Sequence, residues 1–279
     1  MPLCRLRLSL VVLTTAACVL TVAWTAVPDA AAADSDQTRV ATSGQALAGA
    51  RTAKFQATTT ADAGGTASKV TFDGSSNFER RATEYTVGAA DIGLSGSGNV
   101  QVRFIRGVEF LSLDALTGGD SSSAAALAGK RWLRLNPSDF GGDTQIGQSN
   151  PSAGLDALRG ATDVKKVGHA TVRGASTTRY RAKLDLDQAV AKAPDDLRTE
   201  VTSTVQALGS GTVPADVWLD GKGRVRRIRL RVGSVSAGNA GSVVFEYFGL
   251  GSRVRVEEPP ASEVVDFADI LGGSTPPPT

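Results

Sequence analysis

The chain has 279 residues, with 30 lysines and arginines against 28 acidic residues, a net charge of +2, a single histidine and two cysteines. So even a balance leaves no electrostatic footprint for nucleic acid and no polybasic patch for a membrane. The length admits one large domain or two small ones.

The first residues read as a targeting segment. Arg5 and Arg7 form a short positive region, Leu8 to Val27 is uncharged and apolar, and Pro28 breaks the run. Ala30-Ala31-Ala32-Ala33 then supplies the small residues of a signal-peptidase site. Residues 1–33 are therefore expected to be a signal peptide, and the protein to work in a periplasm-like space, in the cell wall or secreted. The apolar run also has the length of an uncleaved bilayer anchor. Cys18 is an alternative lipidation site, but Thr15 stands where a lipobox carries Leu or Val and apolar residues follow, so Cys18 reads as part of the apolar region. Cleavage removes Cys4 and Cys18, and with them any disulfide or thiolate metal site. It also removes Arg5, Arg7 and Asp29, leaving a net charge of +1.

Residues 34–51 read as a polar lead-in followed by a weak helix, capped by Ser43, with Ala46, Leu47 and Ala50 on one face. From Ala53 onward the dominant period is two. Val70 and Phe72 alternate with polar neighbours, as do Val100, Val102 and Phe104. The same holds for Leu133 and Leu135 against Trp132 and Arg134, and for Tyr180, Ala182, Leu184 and Leu186. Ile228, Leu230 and Val232 alternate with Arg227, Arg229 and Arg231, and Val243, Phe245 and Tyr247 with Ser242, Val244 and Glu246. This alternation predicts an antiparallel sheet with one apolar face. Turns are signalled at Arg106-Gly107, Arg173-Gly174 and Asp220-Gly221-Lys222-Gly223. About ten strands in meander order result.

One later helix is predicted, with Ala193, Leu197, Val201, Val205 and Leu208 at helical spacing. Pro194, Asp195 and Asp196 suit its first turn and Gly209 its end. A shorter helix is expected near Ala124 to Ala128. Residues 34–270 are expected to form a single domain and 271–279 a disordered proline-rich tail.

Two short helices cannot cover the apolar face of a ten-stranded sheet. The solutions are a second sheet, closure into a barrel, or a curved, partly open sheet whose concave face keeps a lined cavity for an apolar ligand. Catalytic chemistry finds little support. His169 is the single histidine and sits in a strand or turn, with no Gly-x-Ser-x-Gly elbow anywhere. Asp185 and Asp187 mark a strand end, and Asp195 and Asp196 a helix start, where acids serve ordinary roles. No metal or cofactor is expected. Arg224, Arg226, Arg227, Arg229 and Arg231 read as a solvated strand face, with contact to anionic headgroups or wall polymer as the functional alternative.

Two stretches carry a family resemblance. One runs from Val164 through Val167-Gly168-His169 and Arg173-Gly174 to Thr178-Arg179-Tyr180-Arg181-Ala182. The other is Val213-Pro214-Ala215-Asp216-Val217-Trp218-Leu219-Asp220, followed by Gly223 to Ile228. The chain resembles, over roughly residues 45–270, the LppX and LprG type of mycobacterial envelope lipoproteins, and more distantly the LolA and LolB carriers. The resemblance implies an α+β fold, a curved, largely antiparallel half-barrel with a few helices on its concave face. It implies a hydrophobic cavity for the acyl chains of a lipid or glycolipid, no catalytic motif, a monomer and possible contact with a membrane surface. Mapped onto this sequence, one cavity wall would hold Phe72, Val102, Phe104, Leu184, Val217, Leu219, Ile228, Leu230, Phe245 and Tyr247. The helix carrying Leu197, Val201, Val205 and Leu208 would act as a lid.

Overall fold

The computed structural model describes residues 30–272, apart from 64–65, 93–97, 115–128, 137–152, 200, 203–207, 209–210 and 233–240. The N-terminal segment before Ala30, the short helix expected near Ala124 and the tail beyond residue 272 lie outside the described residues.

The strands are β1 (Thr52–Ala63), β2 (Thr66–Asn77), β3 (Ala82–Gly88), β4 (Asn99–Ile105), β5 (Val108–Ser112), β6 (Trp132–Leu135), β7 (Ala161–Val172), β8 (Ala175–Asp185), β9 (Thr212–Asp220), β10 (Val225–Val232), β11 (Gly241–Phe248) and β12 (Val264–Asp266). All twelve join one unclosed, curved sheet in the order β12-β6-β5-β4-β3-β2-β1-β11-β10-β9-β8-β7. It consists of two antiparallel meanders, β1 to β6 and β7 to β11, joined where β1 pairs with β11. Among the described residues the single parallel ladder is β12 on β6.

The hairpins form where the sequence signals them. Arg106 and Gly107, with φ of 51° and 90°, join β4 to β5; Arg173 and Gly174, with φ of 45° and 79°, join β7 to β8. Two successive left-handed residues give the turn whose twist matches the flanking strands, and glycine takes the second place without steric cost. Between β9 and β10 the Asp220 carboxylate accepts from the backbone N–H groups of Lys222 at 3.0 Å and Arg224 at 3.1 Å. The edge strand β7 carries exposed Lys165, Lys166 and His169 and two register shifts, which blunt it against further pairing.

Helices α1 (Ala30–Ala41), α2 (Ser43–Ala48), α3 (Ala153–Asp156) and α4 (Leu186–Ala191) pack with a 3-10 turn at Ala157–Gly160. Together they cover the inner face of the sheet at its β7–β10 end, burying Val40, Leu47, Leu155, Leu158 and Leu186. A last helix, α5 (Phe267–Gly272), follows β12. A smaller core of Ala82, Ile105, Phe110, Trp132 and Val256 lies on the outer face of β3–β6, under the C-terminal segment. Trp132 thus faces this strap, not water, because Val254, Val256 and Val264 cover it.

Three expectations are corrected. The polar lead-in at 34–41 is helical, and Ser43 does not cap α2. Thr42 holds the cap position, while the Ser43 hydroxyl donates to the Val40 carbonyl at 2.6 Å. Leu186 does not extend β8 but opens α4, because Asp185 caps it by accepting from the Gln188 N–H at 2.9 Å. The helix expected over 193–208 is preceded by α4 and starts with a 3-10 turn at Asp195–Leu197; residues 198–199, 201–202 and 208 are helical among the described ones.

Candidate functional site

Strand register aligns the apolar residues into rows across the inner face. Tyr180 of β8 stands opposite Val217, Val217 opposite Ile228, Ile228 opposite Phe245, Phe245 opposite Ala57, and Ala57 opposite Phe72. The row continues through Val87 to Val100. A second row runs Tyr247, Phe55, Gly74, Tyr85 and Val102. Leu184, Leu219, Leu230 and Phe104 have the same parity, so the ten residues singled out as a wall all lie on one face of the sheet.

They are not equally covered. Leu184, Val217, Leu219, Ile228, Leu230 and Tyr247 are essentially inaccessible, and Val102 and Phe104 are also buried. Phe72 and Phe245 remain half-buried, as do Val70, Thr59 and Val243 in the next row. These five residues form a contiguous patch on β2, β1 and β11. Phe72 meets Tyr85 edge-on at 5.7 Å, and Phe245 stacks on Tyr247 at 6.4 Å. Gly74 makes this packing possible: a Cβ there would stand 2.6 Å from the Phe55 ring and 2.7 Å from the Tyr85 Cβ. Burial raises the Tyr247 hydroxyl well above its ordinary range. Of the expected lid residues, Val201 is buried, and Leu197 and Leu208 are half-buried against the same core. Val205 lies outside the described residues. Arg81, just before β3, is ion-paired to Asp196 in the 3-10 turn that opens this helical stretch.

The outer face of β8–β11 has the opposite character. Asp216 of β9 has no accessible side-chain surface and is shared by Arg179 at 3.0 Å, Arg181 at 3.8 Å and Arg231. Burial alone would raise its carboxyl, but the hydrogen bond from Arg179 and the charges of Arg231 and Arg179 hold it below the usual carboxylate range. Glu246 of β11 is likewise shared by Arg173 at 2.7 Å and Arg227, and is lowered against its own burial by their hydrogen bonds. Trp218 lies between Arg179 and Arg227, whose guanidinium carbons stand 5.1 and 5.3 Å from its ring. Arg224 is bound to Asp220 at 2.8 Å, and Arg226 occupies the bulge between Val225 and Arg227. Arg229 is exposed.

His169 is exposed on β7 opposite Thr178. Asp185 is committed to capping α4, and Asp195 to an exposed pair with Arg198 at 2.7 Å. Among the described residues, no group of three or more His, Cys, Asp or Glu side chains gathers as a metal would require.

No protein-family model matches the chain. LppX, a lipoprotein of Mycobacterium tuberculosis, superposes with a TM-score of 0.51 at 15% identity, covering 80% of this chain and 99% of its own. The protein has the LppX fold. LprF of Mycobacterium bovis superposes with a TM-score of 0.49 at 11% identity, over 81% of this chain and 97% of its own. By sequence the chain is 32% identical over 205 residues to an uncharacterised 31.2 kDa protein of Streptomyces griseus, covering 68% of this chain and 65% of that protein. It is 23% identical over 157 residues to a protein named as a candidate lipoprotein of Streptomyces coelicolor, covering 53% of this chain and 46% of that protein. The chain thus spans about two thirds and about half of these relatives. Among the described residues no helix is long and apolar enough to cross a membrane.

Relative to the LppX half-barrel expected from sequence, the additional feature is the pair of shared carboxylates on the outer face. Their signal was present in part: Asp216 is an outward acid between the arginine-bearing β8 and β10, and Glu246 is an outward acid beside β10.

Proposed function

We propose that the protein is a non-catalytic component of the cell envelope. It binds the acyl chains of a lipid, glycolipid or lipidated molecule between the inner face of its sheet and the segment that carries Leu197, Val201 and Leu208, and carries that cargo across the envelope. The observation that carries this reading is the half-buried patch around Phe72 and Phe245, next to the β7–β10 end of the face that the helices seal. Ala57 separates the two rings, which stand two strand spacings, roughly 10 Å, apart. Two half-buried aromatic rings thus flank a small residue on this face. The LppX fold and the lipoprotein naming of LppX support the envelope setting.

The energetics suit a carrier. A sixteen-carbon chain gains on the order of 13 kcal/mol on leaving water, at about 0.8 kcal/mol per methylene. Release is feasible when the covering element is held weakly. The Arg81–Asp196 pair, with side chains 43% and 63% exposed, is such a hold. Native mass spectrometry of the protein from its own host, together with titration by a fluorescent fatty-acyl probe, tests the reading. Co-purifying lipid and saturable probe binding are expected; absence of both removes it.

A second reading is an envelope interaction protein with a dry core. It is favoured by the eight wall residues that are already buried, and it predicts neither bound lipid nor probe uptake.

A further inference from the structure

We propose that the outer face of β8–β11 is a docking surface for an anionic phospholipid bilayer, separate from the cargo site on the opposite face. Six arginines, Arg173, Arg179, Arg181, Arg227, Arg229 and Arg231, share this face with two carboxylates, Asp216 and Glu246, while Asp220 at the end of β9 is matched by Arg224. The local excess is four positive charges. Ordinary surface pairing has each cation choose its own exposed acid. Here the acids are sunk beneath the guanidinium layer: the Asp216 side chain is fully inaccessible and that of Glu246 is 18% exposed. The arginine side chains remain 32% to 61% exposed where they meet these acids. Each buried carboxylate thus holds several guanidinium groups in place without neutralising them. Trp218, packed between Arg179 and Arg227, stiffens the layer further.

Spacing selects the partner. Arg179 and Arg181 lie along β8, and Arg227, Arg229 and Arg231 along β10, about 7 Å apart within a strand and about 10 Å apart between these strands. Such a two-dimensional array matches a plane of anionic headgroups better than a single-file polyanion, which would engage one row at a time. The C-terminal strap covers the outer face of β3–β6 and leaves the arginine-bearing part to solvent. A docked protein would hold its inner face away from the bilayer surface, with the sheet edges alongside it.

Co-sedimentation of the full chain with vesicles tests this directly. Binding to mixed phosphatidylglycerol and phosphatidylcholine vesicles is expected to exceed binding to phosphatidylcholine alone. It should weaken about tenfold as added salt shortens the Debye length from about 10 Å to about 3 Å. Arg181→Gln with Arg229→Gln removes two exposed charges and leaves the closest contacts to Asp216 in place; anionic binding should fall about tenfold. The parent's salt dependence supplies a readout that needs no variant. Equal binding to both vesicle types, salt-insensitive binding, or a folded double variant that binds as the parent does would each overturn the proposal. So would binding of soluble polyphosphate with no vesicle binding. Loss of lipid cargo with vesicle docking intact would remove only the carrier reading.

Discussion

The inner face contains two regions built from the same alternating pattern but finished differently. Beneath α1, α2 and α4, residues such as Leu184, Val217 and Leu230 are sealed. From the adjoining β11 across to β2, Phe245, Val243, Phe72 and Val70 present similar side chains that stay half-buried. Alternation therefore specifies that a face is apolar but not what covers it. Coverage comes from helices contributed by distant parts of the chain, and the proposed site lies where that coverage thins.

Truncations on the two sides should separate stability from binding. Leu184→Ala removes a fully enclosed side chain beside Ala161 and Val213. It should cost about 3 kcal/mol in denaturant unfolding, because the surrounding elements cannot collapse into the void. Asp216→Asn should cost about 2 kcal/mol at neutral pH, since it leaves three arginines without their shared acid, though all three are partly solvated. The folded carboxyl is lowered, so its stabilisation is present above about pH 4 and disappears as the pH falls through the folded value. Parent and variant should therefore converge in unfolding measurements only as the pH is taken below that lowered folded value. Phe72→Ala and Phe245→Ala should each cost about 2 kcal/mol, less than Leu184→Ala, because each ring is only partly buried. Together they should weaken acyl-probe binding about tenfold. A large stability loss with unchanged probe binding would assign that patch to an ordinary core.

Much of the sheet was legible because its signals are local. The alternation in β4, β8, β10 and β11, and the turns at Arg106-Gly107 and Arg173-Gly174, depend on neighbours in sequence. The common parity of the ten wall residues follows from the same period. What escaped the reading depends on partners far away. β1 is rich in Ala and Thr, with a weak apolar contrast, and is fixed by pairing with both β2 and β11. The three-residue β12 is held on β6 by the pairing of Arg134 with Asp266, 2.6 Å at its longer contact. The bulges of β7 break its period and leave Val167 exposed. The start of α4 did have a readable sign, Asp185 followed three residues later by Gln188, the spacing of a capping pair.

The seam between β1 and β11 sets the order of events during biogenesis. Its two strands come from opposite ends of the sequence, so the first meander must wait with an unpaired border until nearly all of the polypeptide has emerged. Such long-range closure is slow. A polypeptide that cannot complete its architecture early remains threadable, a condition that the proposed role in the envelope requires.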